Sequence, residues 1–187
     1  MKLRHAMRLF TAIDLPSGVV STLDQLIDRL RPTARVQWSP AGNLHLTTKF
    51  VGDWPDARVA EVESSLREMS PREPIPIRIQ GLGFFPNERA PRVFWAGVEG
   101  PKELGRLARD TDLALSMLGV TIEPRAFSPH LTLARIKEPG PLDSLHQAIA
   151  ALPSTEFGAF TADRFYLYSS QPGPAGSVYT KLSEFRF

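Results

Sequence analysis

Two stretches share one triplet: residues 43–52 read Asn-Leu-His-Leu-Thr-Thr-Lys-Phe-Val-Gly, and residues 127–135 read Phe-Ser-Pro-His-Leu-Thr-Leu-Ala-Arg. The triplets are His45-Leu46-Thr47 and His130-Leu131-Thr132, which lie 85 residues apart. In a β-strand, residues i and i+2 point to the same face. Each triplet therefore predicts a strand that presents an imidazole beside a hydroxyl, with a leucine facing the core between them.

The order of the elements around the two triplets also repeats. Apolar spacing predicts helices at residues 18–30, 56–69, 102–118 and 142–152, and strands at 8–15, 44–50, 75–80, 92–98, 130–136, 157–168 and 177–187. The pattern Arg8-x-Phe10-x-Ala12 recurs as Arg92-x-Phe94-x-Ala96, at an offset of 84. We interpret this register as an internal duplication of about 85 residues. It predicts one domain, residues 1–187, made of two pseudo-symmetric α+β lobes with the motifs at 45–48 and 130–133 facing a central cleft.

The composition and the N-terminal pattern limit the kinds of site that the chain can form and the compartment in which we expect it. The chain of 187 residues contains no cysteine, so disulfides, thiolate metal sites and a cysteine nucleophile are all excluded. The net charge of +2 does not by itself require a nucleic-acid partner. The basic start, residues 1–8, is followed by an apolar run that Asp14 interrupts, too short for a secretory signal or a membrane span. We expect a cytoplasmic protein without a membrane partner.

Two histidines that face one cleft can divide acid and base chemistry between them. An imidazole titrates near neutral pH, so one ring can remove a proton from water while the other delivers a proton to a leaving oxygen. The hydroxyls of Thr47 and Thr132 can donate hydrogen bonds to phosphate oxygens. This scheme suits a cyclic phosphodiester and requires no metal. The other two histidines, His5 and His146, have no such context, and we expect both at the surface.

With this doubled triplet, the sequence resembles a known family, the 2H phosphoesterases. Within that family it resembles the RNA 2′,3′-cyclic phosphodiesterases, also called 2′-5′ RNA ligases. The resemblance spans nearly the whole chain. It is carried by the segments at residues 8–15, 43–52, 92–98 and 127–135. One departure is Thr48, where the family has an apolar residue; it lies on the back face of the strand, so we expect it to affect packing more than chemistry. The resemblance implies a bilobal α+β fold in which two antiparallel sheets flank a central groove, with helices on the outside.

The resemblance also implies an activity. It implies metal-independent hydrolysis of RNA 2′,3′-cyclic phosphate ends to 2′-phosphomonoesters, with 2′-5′ RNA ligation as the reverse reaction. His130 would activate water, His45 would protonate the leaving oxygen, and Thr47 and Thr132 would hold the phosphate, although the pseudo-symmetry leaves the two histidine roles open. We expect a monomer without a cofactor, whose partners are RNA ends or cyclic nucleotides.

Two further residues are candidates for substrate binding. Arg135 matches a family position that contacts substrate, but strict alternation points it away from His130, so this role requires a bulge or a strand end. Lys49 shares the face of His45 by spacing and could add positive charge, or lie only at the rim. Trp38 and Phe127 precede the motifs and could stack on a base; a core role for either is equally open.

Three alternative functions remain open. A related phosphoesterase could act on a small cyclic nucleotide or on an ADP-ribose cyclic phosphate with the same catalytic residues. A non-catalytic RNA-binding module would retain binding after loss of both histidines. A metal hydrolase is disfavoured because neither motif strand carries a carboxylate, and two histidines alone make a poor zinc site.

Overall fold

Strands and helices alternate along the chain in a computed structural model that describes residues 6–138, 140–174 and 176–187. The strands are β1 (Ala6–Asp14), β2 (Gln37–Trp38), β3 (His45–Pro55), β4 (Ile75–Phe85), β5 (Val93–Glu99), β6 (His130–Arg135), β7 (Glu156–Ala162), β8 (Arg164–Gly173) and β9 (Gly176–Arg186). The α-helices are α1 (Ser17–Leu30), α2 (Val59–Arg67), α3 (Lys102–Ser116) and α4 (Asp143–Ala150). Within the described residues, no helix is both long and apolar enough to cross a bilayer.

The strands form two antiparallel sheets, as the family resemblance implied. The first sheet has the order β3-β1-β8-β9, and the second has the order β2-β6-β5-β4-β7. Helices α2 and α3 pack against the first sheet, and α1 and α4 lie on the second-sheet side, where α1 contacts β7. Each triplet strand, β3 or β6, pairs with the strand that opens its half of the chain, β1 or β5.

The boundary between the sheets does not coincide with the boundary between the halves. Strands β2 and β4 come from the first half but pair in the second sheet, whereas β8 and β9 come from the second half and complete the first sheet. Helix α1 likewise belongs to the first half and packs on β7. The two halves therefore interlock and share their core.

The apolar patterns explain the helices and the buried faces of the strands. Helix α1 buries one stripe at helical spacing, formed by Val19, Leu23, Leu26, Ile27 and Leu30. The central leucines of the triplets, Leu46 and Leu131, are fully buried, as alternation predicted. Core packing thus fixes the orientation of both triplets.

The structure corrects several predicted boundaries, and the strand predicted at 44–50 continues as β3 to Pro55. The single strand predicted at 157–168 is two strands, β7 and β8, which lie in different sheets, and the alternation continues across the junction at Asp163 without showing it. The strand predicted to end at Gln80 continues to Phe85, because Gly81 adopts a positive φ of 82° at an irregularity in the pairing. The helix predicted at 56–69 begins as a short 3₁₀ turn, Asp56–Arg58.

Candidate active site

Both triplets line the same groove, which has a volume of about 320 Å³. Its walls include His45 and Thr47 from β3, and His130 and Thr132 from β6. All four side chains are half-buried, so they are held by the fold and remain accessible. The structure therefore brings together the four residues that the sequence singled out.

The two imidazoles are anchored in the same way. His45 Nδ1 lies 2.7 Å from the carbonyl oxygen of Asn43, and His130 Nδ1 lies 2.8 Å from that of Ser128. A carbonyl oxygen only accepts hydrogen bonds, so Nδ1 carries a proton in both rings. Each bond spans two residues, which means that the backbone entering each strand sets the tautomer. In both rings, Nε2 is the nitrogen left for proton transfer.

Aromatic side chains hold His45 in a partly dehydrated position. Its ring stacks on Phe10 with centroids 4.8 Å apart and meets the edge of Tyr179 at 5.2 Å. Burial is the main reason that the pKa of His45 is lowered, and the positive charges of Arg135 and His130 lower it further. The hydrogen bond to Asn43 and the charge of Asp14 act in the opposite direction without reversing the shift.

Asp14 supplies a carboxylate on the His45 side of the groove. It lies opposite His45 in the β1–β3 ladder and accepts hydrogen bonds from Tyr168 Oη at 2.5 Å and Lys181 Nζ at 2.6 Å. Burial, followed by the bond to Asp14, raises the pKa of Tyr168, so the phenol remains a donor. The residue opposite His130 is Gly97. The two histidines therefore differ in their electrostatic surroundings, although they share one anchoring scheme.

A bulge follows each triplet and changes which side chains reach the groove. In β3, Thr47 pairs with Ala12 and Lys49 with Thr11, so Thr48 is the extra residue. The pairing of β6 with β5 likewise skips Leu133. A bulge shifts all later residues to the opposite face. As a result, Phe50 and Arg135, each five residues after its histidine, both line the groove.

The bulges turn the two candidates for substrate binding, Arg135 and Lys49, in opposite directions. The bulge that Arg135 required is present, and its exposed side chain lines the groove. The side chain of Lys49 points away from the groove, because the bulge at Thr48 lies between it and His45. The prediction from strict alternation, which placed Lys49 on the face of His45, is wrong on this point. Lys49 Nζ pairs with Asp112 and donates to the carbonyl oxygen of Thr121 at 2.7 Å. Thr48 faces the back as predicted, where its hydroxyl lies 2.7 Å from that of Thr11.

The matching segments Arg8-x-Phe10-x-Ala12 in β1 and Arg92-x-Phe94-x-Ala96 in β5 do not occupy equivalent positions in the two sheets. Phe10 stacks on His45 and lines the groove, whereas Phe94 packs in the core against Phe84 at 5.0 Å. The reason is a one-residue difference in register: Ala12 pairs with Thr47, but Trp95 rather than Ala96 pairs with Thr132. Phe10 and Phe94 are thus similar in sequence but lie on opposite faces.

Sequence reasoning missed several residues of the groove. Arg8 and Phe10 lie on the same face of β1 as Asp14, and period-two spacing along that strand was the available signal. Tyr179, from the distant strand β9, gave no local signal. Further polar residues of the wall are Gln37, Ser39, Asn43, Ser170 and Ser177.

The remaining aromatic and histidine candidates are mostly structural. Trp38 reaches the groove wall but is buried, with its ring 6.1 Å from Phe94. Phe127 packs against the core. The half-buried ring of His146 lies against Phe84, so it is not the free surface residue that we expected. His5 lies outside the described residues.

Comparisons with known proteins agree with this architecture. The family model described as LigT like Phosphoesterase matches residues 13–95 and 97–179, so each match contains one triplet and the predicted duplication is confirmed. The chain is 36% identical over 182 residues to the RNA 2′,3′-cyclic phosphodiesterase of Methanothermobacter thermautotrophicus, covering 96% of this chain and 98% of that protein. It is 34% identical to the RNA 2′,3′-cyclic phosphodiesterase of Thermus thermophilus, covering 96% and 89%.

Solved structures show the same fold. The protein TT0787 of Thermus thermophilus superposes with a TM-score of 0.81 at 31% identity, covering 96% of this chain and 97% of that chain. LigT of E. coli complexed with 3′-AMP superposes with a TM-score of 0.79 over 97% and 98% of the two chains; at 24% identity it bears on the fold alone. With two model matches over most of the length and relatives above 30% identity, the chain belongs to the LigT-like phosphoesterases, the 2H family that the sequence resembled.

Proposed function

We propose that this chain hydrolyses RNA 2′,3′-cyclic phosphate ends to 2′-phosphomonoesters, using His45 and His130 for proton transfer. The observation that carries the proposal is the matched anchoring of the two rings. Each Nδ1 donates to a backbone carbonyl, which leaves both Nε2 atoms for one groove that also contains the hydroxyls of Thr47 and Thr132. The names of relatives above 30% identity support the same substrate class.

In the proposed reaction, a water oxygen attacks phosphorus in line with the O3′ atom. His130 Nε2 takes the proton of that water, the P–O3′ bond breaks, and the protonated Nε2 of His45 gives its proton to O3′. We assign the acid role to His45 because Asp14 lies opposite it in the ladder, while Gly97 lies opposite His130. A bound phosphate adds a second negative charge and favours the imidazolium form of His45. No step of this scheme needs a metal or another cofactor.

The phosphate is held by three side chains in this proposal. Thr47 and Thr132 donate their hydroxyl protons to the non-bridging oxygens, one from each wall of the groove. Arg135 places its guanidinium in the same groove and balances the charge that develops on those oxygens. In ligation, a 5′ hydroxyl takes the place of water: its oxygen bonds to phosphorus and gives up its proton, the P–O3′ bond breaks, and O3′ gains a proton, which leaves a 2′-5′ phosphodiester.

The same proposal includes the working form and location of the protein. We propose that it acts as a monomer, because the described chain supplies residues to both walls of the groove. The absence of cysteine supports action in the reducing cytoplasm. Sedimentation at micromolar concentration tests the first point, and microscopy of a tagged chain in its own host tests the second.

A substrate panel tests the activity. It contains the four nucleoside 2′,3′-cyclic phosphates, RNA oligomers with cyclic ends, a 3′,5′-cyclic nucleotide and an ADP-ribose cyclic phosphate, each with and without excess EDTA. We expect turnover of 2′,3′-cyclic ends in EDTA, and a product that coelutes with the 2′-phosphate and not with the 3′-phosphate. No turnover of any 2′,3′-cyclic end would overturn the substrate class. Loss of turnover in EDTA, restored by a metal, would overturn the mechanism.

A further inference from the structure

The two edge strands of the first sheet, β3 and β9, approach each other. Two other strands lie between them in the order β3-β1-β8-β9, and in a flat sheet this would separate them by roughly 14 Å. Yet the ring of His45 on β3 meets the ring of Tyr179 on β9 edge-on, with centroids 5.2 Å apart. Both rings also lie against Phe10 of β1, at 4.8 and 5.1 Å. The side chains of both edges therefore converge on one face of the sheet.

One side-chain hydrogen bond joins these two edges. Asn43, in the turn that leads into β3, donates from Nδ2 to the carbonyl oxygen of Ser177 on β9 at 2.8 Å. The hairpin of β8 and β9 also lies close to β2, since a β carbon added to Gly176 would stand 3.5 Å from Nε2 of Gln37. All four residues line the groove. Asn43 thus holds the end of the hairpin beside the strand that carries His45.

Asn43 also anchors the imidazole directly. Its carbonyl oxygen accepts from His45 Nδ1 at 2.7 Å, while its side chain holds Ser177. Ser177 precedes Tyr179 by two residues on the same strand. The His45 ring is therefore held at Nδ1 by Asn43 and from the side by Tyr179, and one residue connects the two supports.

His130 has the same backbone anchor without this second support. The carbonyl oxygen of Ser128 accepts from His130 Nδ1, but the exposed side chain of Ser128 forms no hydrogen bond to any other described residue. The aromatic neighbour of His130 is Phe85, at 4.9 Å, on a strand of the same continuous run β6-β5-β4. Of the two anchoring residues, only Asn43 links its histidine to a distant part of the described chain.

We propose that Asn43 is a positioning residue for His45. Its bond to Ser177 holds Tyr179 against the imidazole, and its carbonyl oxygen holds Nδ1, so Nε2 stays aligned for proton transfer. A ring that is already oriented needs no reordering before the reaction, and a small displacement lowers the rate. This inference rests on the proposed function and deepens it, because it names the residue that prepares the proposed acid.

Asn43→Ala tests this role, because it removes the bond to Ser177 and leaves the backbone carbonyl in place. The turn should persist, since the N–H of residue 43 donates to the carbonyl oxygen of Pro40 at 2.9 Å. With a 2′,3′-cyclic nucleotide, we expect kcat to fall roughly fivefold, the effect of one lost neutral hydrogen bond. KM should stay within about twofold of the wild-type value, because the proposed phosphate donors are unchanged.

Two further variants separate positioning from a general loss of stability. The matched control is Ser65→Ala, which also removes one bond from a side chain to a backbone carbonyl, that of Ala114, but outside the groove lining. It should keep the wild-type kcat. Asn43→Gln retains an amide donor on a longer side chain and should recover part of the rate. A wild-type kcat in Asn43→Ala, or an equal fall in Ser65→Ala, would overturn the proposal.

A double-substitution cycle with Tyr179→Leu tests the connection through the hairpin. If the Asn43–Ser177 bond acts by holding Tyr179, Asn43→Ala should lower kcat much less in the Tyr179→Leu background than in the wild type. Two effects that multiply in full would show independent contributions and overturn this connection.

NMR of the ring nitrogens gives a readout that does not depend on turnover. At a pH where both rings are neutral, the ¹⁵N shifts of the wild type should place the proton of His45 and of His130 on Nδ1. In Asn43→Ala, the two shifts of His45 should move toward each other, because a loosely held ring exchanges between tautomers, while those of His130 stay unchanged. Unchanged His45 shifts would overturn the positioning role even in an active enzyme. If the wild type hydrolysed no cyclic phosphate, the proposed function would fall, whereas altered His45 shifts would still support the positioning of its ring by Asn43.

Discussion

Lys49 of the first triplet strand forms an ion pair with Asp112 of helix α3, in the other half of the chain. Only 6% of the Lys49 side chain and 15% of the Asp112 side chain are exposed, and Lys49 Nζ also donates to the carbonyl oxygen of Thr121. Asp112 in turn accepts from the backbone N–H of Glu123. This pair joins β3 to the segment that leads into the second triplet, so it couples the two halves on which the groove depends.

Lys49→Met should therefore destabilise the fold without affecting substrate binding. Loss of Lys49 leaves the poorly solvated Asp112 carboxylate without its cation, with the N–H of Glu123 still donating to it, and costs about 3 kcal/mol of unfolding free energy. Urea unfolding measures the loss, and KM for a 2′,3′-cyclic nucleotide should stay within about twofold of the wild-type value. The control is Lys102→Met at the exposed start of α3, which should change neither quantity. A raised KM with unchanged stability would show that Lys49 contacts substrate.

The two histidines of the groove, His45 and His130, should each be indispensable for the proposed activity. His45→Ala and His130→Ala should each lower kcat by about 10²–10⁴, the range of one general acid or base. Circular dichroism should show an intact fold, because neither ring belongs to the central core. His146→Gln serves as the control, since His146 lies on α4 against Phe84, and it should keep the wild-type rate. Retention of more than a tenth of the activity in either alanine variant would contradict its role.

Substitution of Thr47 should lower the rate, whereas substitution of its neighbour Thr48 should lower only the stability. Thr47→Val and Thr132→Val each remove a hydroxyl that we propose donates to the phosphate, and each should lower kcat by about 10²-fold, as the loss of one transition-state donor does. Thr48→Val removes only the hydrogen bond to Thr11 on the back of the strand and should cost about 1 kcal/mol of stability. Steady-state kinetics and thermal unfolding on the same samples separate the two effects. Equal rate losses at Thr47 and Thr48 would argue against the phosphate contact.

The surroundings of His45 should determine the pH at which its ring gains a proton. Burial lowers its pKa below the ordinary value of 6.5, so the folded state disfavours the charged form. Above pH 6.5, His45 is neutral in both the folded and the unfolded protein, so its ionisation does not reduce the free energy of unfolding. As the pH drops toward the pKa of the folded state, the unfolded protein binds the proton more readily, and the free energy of unfolding falls. An NMR titration of the histidine ring protons measures the shift.

Substitutions of two charged neighbours test whether each of them raises or lowers the pKa of His45. Arg135→Gln should raise the pKa of His45 by removing a positive charge, and Asp14→Asn should lower it by removing a negative one. Inorganic phosphate bound in the groove should raise it. A His45 that titrates above 6.5 in the free protein would contradict the lowering of its pKa by burial, and a pKa that falls when phosphate binds would contradict the acid role proposed for it.

Local sequence carried most of the information about the site. Alternation along a strand is a property of the backbone, so His-x-Thr predicts that the two side chains share a face wherever the strand lies. The buried Leu46 and Leu131 then fix which face is the core face. The repetition of the triplet in the same order of elements predicted two equivalent strands, and the two matches of the family model confirmed the duplication.

What alternation could not reveal depends on pairing between distant strands. A bulge is a mismatch in the hydrogen-bond register of two strands, so residues 45–50 alone do not contain the information that turns Lys49 to the back and Phe50 to the groove. The same holds for Arg135, whose direction is set by the pairing of β6 with β5. The resemblance of Phe10 to Phe94 misled for this reason, because the register of the two ladders differs by one residue.

The sequence by itself determined which polar groups the groove presents on its two central strands: two imidazoles and two hydroxyls on equivalent strands, each supported by buried leucines. The tertiary structure decided the rest of the groove. It brought Arg8, Tyr179 and Arg135 to walls that strands from both halves build together, and it removed Lys49. The physical reason is the range of the interactions involved. The direction of a side chain along a regular strand is local, whereas strand register, bulges and the exchange of strands between sheets depend on hydrogen bonds between residues far apart in the chain.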